Sequence, residues 1–266
     1  MDDDAAAFRD SIPEHYDSGL GPVLFRHYAE VLGAAVAATD PQRILETAAG
    51  TGISSAAIAE HCPGAQLTIT DLSEGMLQLA RTKVPPATRI QTADAQALPF
   101  DDGSFDAVAC QFGIMFMPDL PAALREQRRV LARGGVFHFS VWDSHAKNRF
   151  AAIIHGLLVD TFPDDPPPFY RVPFGMSEVD PLRNLAQESG FGRVTIDVVP
   201  HDAPVASWER FADGLIVGNP VSDQVRKRGG DLDALVREAE RRLTDEFGPG
   251  STTTPVQTLF YRAVAV

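Results

Sequence analysis

The chain predicts a doubly wound α/β fold: a mostly parallel seven-stranded sheet with an inserted helical cap. Three observations carry that reading. Short apolar or β-branched runs alternate with helical patterns through the first half of the sequence. A glycine-rich turn, AAGTG at 48–52, follows the first of those runs directly. Roughly 55 residues separate the last two runs, more than an ordinary connection needs and enough to build a cap.

The first strand is RILET (43–47), and the turn after it runs into a helix beginning ISSAAIA. QLTIT (66–70), RIQTA (89–93), FDAVACQ (105–111) and GVFHFSVW (135–142) follow as strands, mostly unbroken in their apolarity, as strands buried on both faces should be. Between them, SEGMLQLARTK has Ser73 placed to cap a helix with Met76, Leu77 and Ala80 on one face. LPAALREQRRVLARGG puts Leu120, Leu124 and Leu131 on a stripe and predicts a helix ending at Gly134. Helices between strands imply right-handed crossovers and a parallel sheet. After Trp142 the pattern changes. FPDDPPPFYRVPFG (162–175) is too rich in proline for regular structure. DPLRNLAQESGFG predicts a helix capped by Asp180, with Pro181 first and Gly190 ending it. RVTIDVVP (193–200) is a sixth strand, SWERFADGLIVG and DLDALVREAERRLTDEFG are helical, and VQTLFYRAVAV is a closing seventh strand.

These elements read as one structural domain. Residues 1–40 form an N-terminal helical segment contributing to a lid, 41–142 a ligand-binding core, and 143–266 the rest of the sheet, with cap insertions at about 143–176 and 202–255. Lys and Arg number 23 against 36 Asp and Glu, a net charge of −13 without a compensating basic run. That balance repels polyanions, so neither nucleic acid nor an anionic membrane is an expected partner. The acidic start, MDDDAAAFRD, lacks the pattern of a signal peptide, and no apolar run reaches membrane-spanning length, which makes the cytoplasm the expected location. Cys62 and Cys110 lie at no metal-ligand spacing and read as reduced core thiols; no metal is expected.

Which ligand the turn holds follows from its chemistry. A dinucleotide fingerprint needs G-x-G-x-x-G, but Ser55 stands where the third glycine belongs. Glu46, at the end of the first strand, would repel a pyrophosphate and suits a ligand bearing an ammonium or sulfonium. Both features favour an amino-acid-bearing nucleoside and argue against a nicotinamide-dependent oxidoreductase.

Four stretches in order now carry a family resemblance: ILETAAGTG, LTITDLSEGMLQLA, TADAQALPFDDGSFDAVACQFGIMFMPDL and ALREQRRVLARGGVFHFSVW. Together they resemble the motifs of class I S-adenosylmethionine-dependent methyltransferases, in the subgroup that includes ubiquinone and menaquinone C-methyltransferases, over about 45–142. The resemblance implies the Rossmann-like methyltransferase fold and S-adenosyl-L-methionine as cofactor. It implies Glu46, Ala48, Gly50 and Gly52 as the cradle of the methionine part, with Ala48 replacing the first motif glycine. Asp71 would take both ribose hydroxyls, with Leu72 and Met76 beside it, and Asp94 with Ala95 would read the adenine edge. Gln111 would lie beside the methionine end.

A general base is needed only if the acceptor must lose a proton. His138 alternates with core residues, whereas His145 lies just past the carboxyl end of the fifth strand and is the candidate. Tyr16, Phe25, Met115, Phe116, Trp142 and Tyr170 are candidate walls of an acceptor pocket, with Phe169 in the proline-rich flap. The expected function is in-line methyl transfer to a small, uncharged or apolar molecule by a monomer or homodimer. The alternative is a non-catalytic sensor of S-adenosylmethionine or its demethylated product.

Overall fold

A computed structural model describes residues 12–266. The part of the predicted lid in residues 1–11 lies outside the described residues. The chain enters through a short helix α1 (Ile12–His15), a π-helical stretch Tyr16–Phe25 and helix α2 (Arg26–Ala37). It then alternates: β1 (Arg43–Glu46), α3 (Ile53–His61), β2 (Gln66–Asp71), α4 (Glu74–Arg81), β3 (Arg89–Thr92), β4 (Phe105–Gln111), α5 (Leu120–Val130), β5 (Leu131–Trp142), α6 (Arg149–Thr161), α7 (Val179–Glu188) and β6 (Phe191–Val205). Helices α8 (Trp208–Ile216), α9 (Val221–Lys227) and α10 (Leu232–Phe247) fill the long connection to β7 (Thr252–Ala265).

The seven strands lie in the order β3-β2-β1-β4-β5-β7-β6. The first five run parallel, and β7 is antiparallel to both β5 and β6. The order reverses between β1 and β4, so a crevice opens at their carboxyl ends, where such sheets bind ligands. Alternation along β1 feeds two cores. Ile44 faces Leu32, Ile58, Ile69 and Leu77 on one side, and Leu45 joins Val108, Phe137, Phe139 and Leu124 on the other. The connection from β3 to β4 carries no helix, which leaves β3 half exposed, unlike the fully buried strand expected of it.

Two helix ends differ from expectation. Helix α5 stops at Val130, because Leu131 already pairs with Phe105; Gly134, at φ +83°, sits in the bulge before Val136 pairs with Ala107. Asp180 lies inside the first turn of α7 and pairs with Arg183, so it does not cap; Glu178 precedes the helix without a side-chain bond to it. Ser73 does cap α4, accepting the Met76 N–H.

His138, at the centre of β5 opposite Arg262, is fully buried, and neither ring nitrogen has a partner among the described residues. Burial first, and then Arg262, push its pKa down to about 3. The sign follows from linkage. The folded state keeps the ring neutral while the unfolded chain protonates it below about pH 6.5, so stability is lost as pH falls through that window. His138→Leu removes the effect. Its stability relative to wild type, from urea unfolding, is expected to improve by about 2 kcal/mol between pH 7 and pH 5. A difference that stays constant with pH would show that His138 does not titrate this way.

Candidate functional site

The turn after β1 is built around two buried carboxylates. Glu46 is completely buried, its Oε1 accepting the Ser54 hydroxyl at 2.5 Å and its Oε2 the Ser55 hydroxyl. Both serines stand in the first turn of α3, so Glu46 fastens that helix to β1. Burial raises its pKa to about 7; the two serines oppose the shift and Asp71 adds to it. Asp71, ending β2, accepts the Gly50 N–H on Oδ2 and the Ser73 N–H on Oδ1, each at 2.8 Å. Its pKa is also raised by burial, against the pull of those amides.

The turn itself is strained in one place. Ala48, which replaces a motif glycine, has φ +53°, the left-handed region that a methyl group disfavours. Its Cβ lodges against Gly113, where an added Cβ would stand only 2.4 Å away. Gly52 precedes α3 at φ +82°, and a Cβ added there would stand 2.7 Å from the Ala80 Cα.

Leu72 projects from the end of β2 with 63% of its surface exposed, whereas Met76 is buried beneath α4. Asp94 bonds the Gln96 backbone and side-chain amides at 2.8 and 3.1 Å, and the Ala95 carbonyl accepts Gln127 Nε2 at 3.1 Å. Gln111, ending β4, donates to the Phe25 carbonyl at 3.2 Å; its Oε1 is buried and has no partner among the described residues. A buried acceptor of that kind ordinarily has a donor, which the described residues do not supply.

Over this crevice lies the N-terminal segment. Asp17 accepts the Thr51 hydroxyl at 2.6 Å and the Lys83 ammonium, which also reaches the Thr51 carbonyl at 2.9 Å. His15 contacts Asp213 of α8 at 2.6 Å. Tyr16 stacks on Phe25 at 4.8 Å between ring centroids, and its hydroxyl pKa is raised by burial and then by Asp71 and Asp17. Tyr16 therefore sits beside Asp71 as well as beside Phe25. Asp17, Lys83, Ser54 and Ser55 escaped sequence reasoning. Only the serines carried a signal, two adjacent hydroxyls in the first turn of the helix that follows the acid and its glycine turn.

The aromatic candidates divide. Trp142 stacks face to face on Phe112 at 4.1 Å and lies 6.4 Å from Phe25. Phe116 lies 6.1 Å from Phe169. Met115 is buried, and so is Tyr170, whose hydroxyl donates to the Leu215 carbonyl at 2.7 Å. With the Phe169 amide bonded to Gln224, this pins the proline-rich stretch onto the cap. His145 donates from Nε2 to the Tyr170 carbonyl at 3.0 Å and packs on Phe174 at 4.9 Å and His155 at 5.3 Å. A carbonyl can only accept, so Nδ1 carries the lone pair; burial lowers the pKa of the ring. Among the described residues no three His, Cys, Asp or Glu side chains converge as a metal cluster, and no helix is long and apolar enough to cross a membrane.

Residues 45–139, the turn with all or part of β1 to β5, match a family model described as a methyltransferase domain. The chain is 34% identical over 234 residues to a malonyl-[acyl-carrier protein] O-methyltransferase of Geobacter sulfurreducens, covering 84% of this chain and 83% of that one. The chain belongs to the class I S-adenosylmethionine-dependent methyltransferases. Within that family it is 47% identical over 103 residues to a demethylmenaquinone methyltransferase of Clavibacter sepedonicus, a match that spans 38% of this chain and 41% of that enzyme. The likeness in fold spans most of the chain. A phosphoethanolamine N-methyltransferase of Haemonchus contortus, solved with S-adenosyl-L-methionine, superposes with a TM-score of 0.58 at 16% identity, covering 97% of this chain and 60% of that one. The residues of the crevice fit this methyltransferase cofactor. They include two buried acidic groups, an amide oxygen at Gln111 unsatisfied among the described residues, and the exposed side chain of Leu72, a set that suits a ligand with cationic, hydroxyl and flat apolar parts.

Proposed function

We propose that this chain methylates a small apolar aromatic acceptor of the phenol or quinol kind. The cofactor would be held by Glu46, Gly50, Gly52, Asp71, Asp94 and Gln111, and it supplies a methyl group activated on a sulfonium. The observation that carries the acceptor class is the aromatic layer at the carboxyl ends of β4 and β5. Tyr16, Phe25, Phe112 and Trp142 form one contiguous aromatic cluster there, two stacked pairs joined by tilted contacts. Such a layer recognises a flat apolar ring and offers nothing to a phosphate. The net charge of −13 supports the same reading, as does likeness to enzymes named for demethylmenaquinone. His145 is proposed to take the acceptor's proton on Nδ1. His145→Gln should then lower kcat and remove the acid limb of its pH profile while leaving cofactor binding intact.

The test is transfer of labelled methyl from S-adenosylmethionine to a panel of reduced quinones, phenols, amines, a malonyl thioester, RNA and protein. Turnover of quinols or phenols is expected. Methylation confined to the malonyl thioester, RNA or protein would overturn the acceptor class. Tight cofactor binding with transfer to nothing in the panel would overturn the enzymatic reading in favour of a sensor.

A further inference from the structure

Glu46 and Asp71 stand at the ends of adjacent strands, both held, among the described residues, by neutral donors alone. Two hydroxyls bond Glu46, and backbone N–H groups bond Asp71. The titratable and charged groups that face the pair from the surrounding elements are few. Cys110 on β4 is a neutral thiol, its pKa pushed up to about 12 by burial. From the N-terminal segment come Tyr16, neutral, and Asp17, whose charge is already met by Lys83. The described residues therefore place two buried acids together and provide neither with a cation. A buried carboxylate in that position either keeps a proton or waits for a positive ligand.

We propose that the Glu46–Asp71 pair is a proton-linked charge receptor, which holds one proton in the free protein and releases it when a sulfonium-bearing cofactor enters. This rests on the cofactor reading above and deepens it. S-adenosylmethionine and its demethylated product differ by one positive charge, on sulfur. A cation beside the pair stabilises its ionised form, so the sulfonium compound drives the proton off more completely than the thioether does. Burial together with Asp71 keeps Glu46 titrating near neutrality, which puts the exchange in the working pH range. Preference for substrate cofactor over spent cofactor then strengthens as pH rises towards about 7 and levels off above it. Acid conditions favour the product on the enzyme, and mildly alkaline ones clear it.

The experiment is calorimetric titration of the full chain with each compound in buffers of differing ionisation enthalpy. At about pH 6.5 the amino groups of both ligands are already protonated and cannot confuse the count. S-adenosylmethionine is expected to release about half a proton or more beyond what its product releases, and the ratio of the two Kd values to grow about 3- to 10-fold from pH 6 to pH 7.5. Glu46→Gln should bind S-adenosylmethionine more weakly and lose both effects. The double variant Ser54→Ala/Ser55→Ala, which strips the hydroxyls that favour the ionised form, should move the transition to higher pH. Equal proton release by the two ligands, or a ratio independent of pH, would overturn the proposal. So would an unmoved transition in the serine variant, which decides the matter if Glu46→Gln does not fold. Failure of the wild-type chain to bind S-adenosylmethionine at all would instead overturn the cofactor reading.

Discussion

Asp71→Ala is expected to weaken S-adenosylmethionine binding by about 5- to 150-fold, corresponding to about 1–3 kcal/mol, when measured by calorimetry. Two losses combine in this number. The proposed ribose hydroxyls would face no acceptor, and the Gly50 and Ser73 N–H groups, now 2.8 Å from the carboxylate, would be left without their partner. Asp71→Asn separates the two. It keeps the volume and one acceptor oxygen, so the turn is partly retained while the second acceptor is lost, and its affinity should fall between wild type and alanine. Equal affinity in wild type and Asp71→Ala would remove Asp71 from the site.

Gly52→Ala should have the largest effect on folding. Its φ of +82° is unfavourable for any side chain, and the new Cβ would stand 2.7 Å from the Ala80 Cα and 2.8 Å from its Cβ. The first atom belongs to the backbone of α4, so relief requires moving one helix away from the other. Backbone strain and overpacking together predict a loss of about 2–5 kcal/mol in urea unfolding. Gly50→Ala is the control. Its φ of +55° is also left-handed, but the space around it is open, so only the strain of about 1 kcal/mol applies. If the two substitutions cost the same, the close approach of α3 to α4 at Gly52 does not govern the turn.

What could be read in the sequence, and what could not, divides by the range of the interaction. Strands such as FDAVACQ, and the Ser73 cap, declare themselves within a few residues, because apolar runs and capping hydroxyls act locally. Gly134 misled for the same reason: a glycine after a helical stripe resembles a stop signal, and only the pairing of Leu131 with Phe105 shows that the helix has already ended. In the site, the positions of Glu46 and Asp71 followed from strand ends followed by turns. Their surroundings did not. Lys83 meeting Asp17, and Gln111 meeting Phe25, join residues far apart in the chain with no periodicity to announce them. The side-chain commitments of Tyr170 and Trp142 were equally hidden, because aromatic residues look alike in sequence whether they wall a pocket or fill a core.

Ala48 and Gly113 share a single vacancy, and that has a consequence for how this lineage can drift. Glycine at 48 would remove the 2.4 Å clash that a Cβ at 113 makes with the Ala48 methyl and leave only Cys110 Sγ, 2.9 Å away, to give; alanine at 48 requires 113 to stay bare. The two positions are therefore coupled through volume. Judged position by position, this chain has lost a glycine from its first motif. Judged by volume, it has kept the gap and moved it to the neighbouring strand's end.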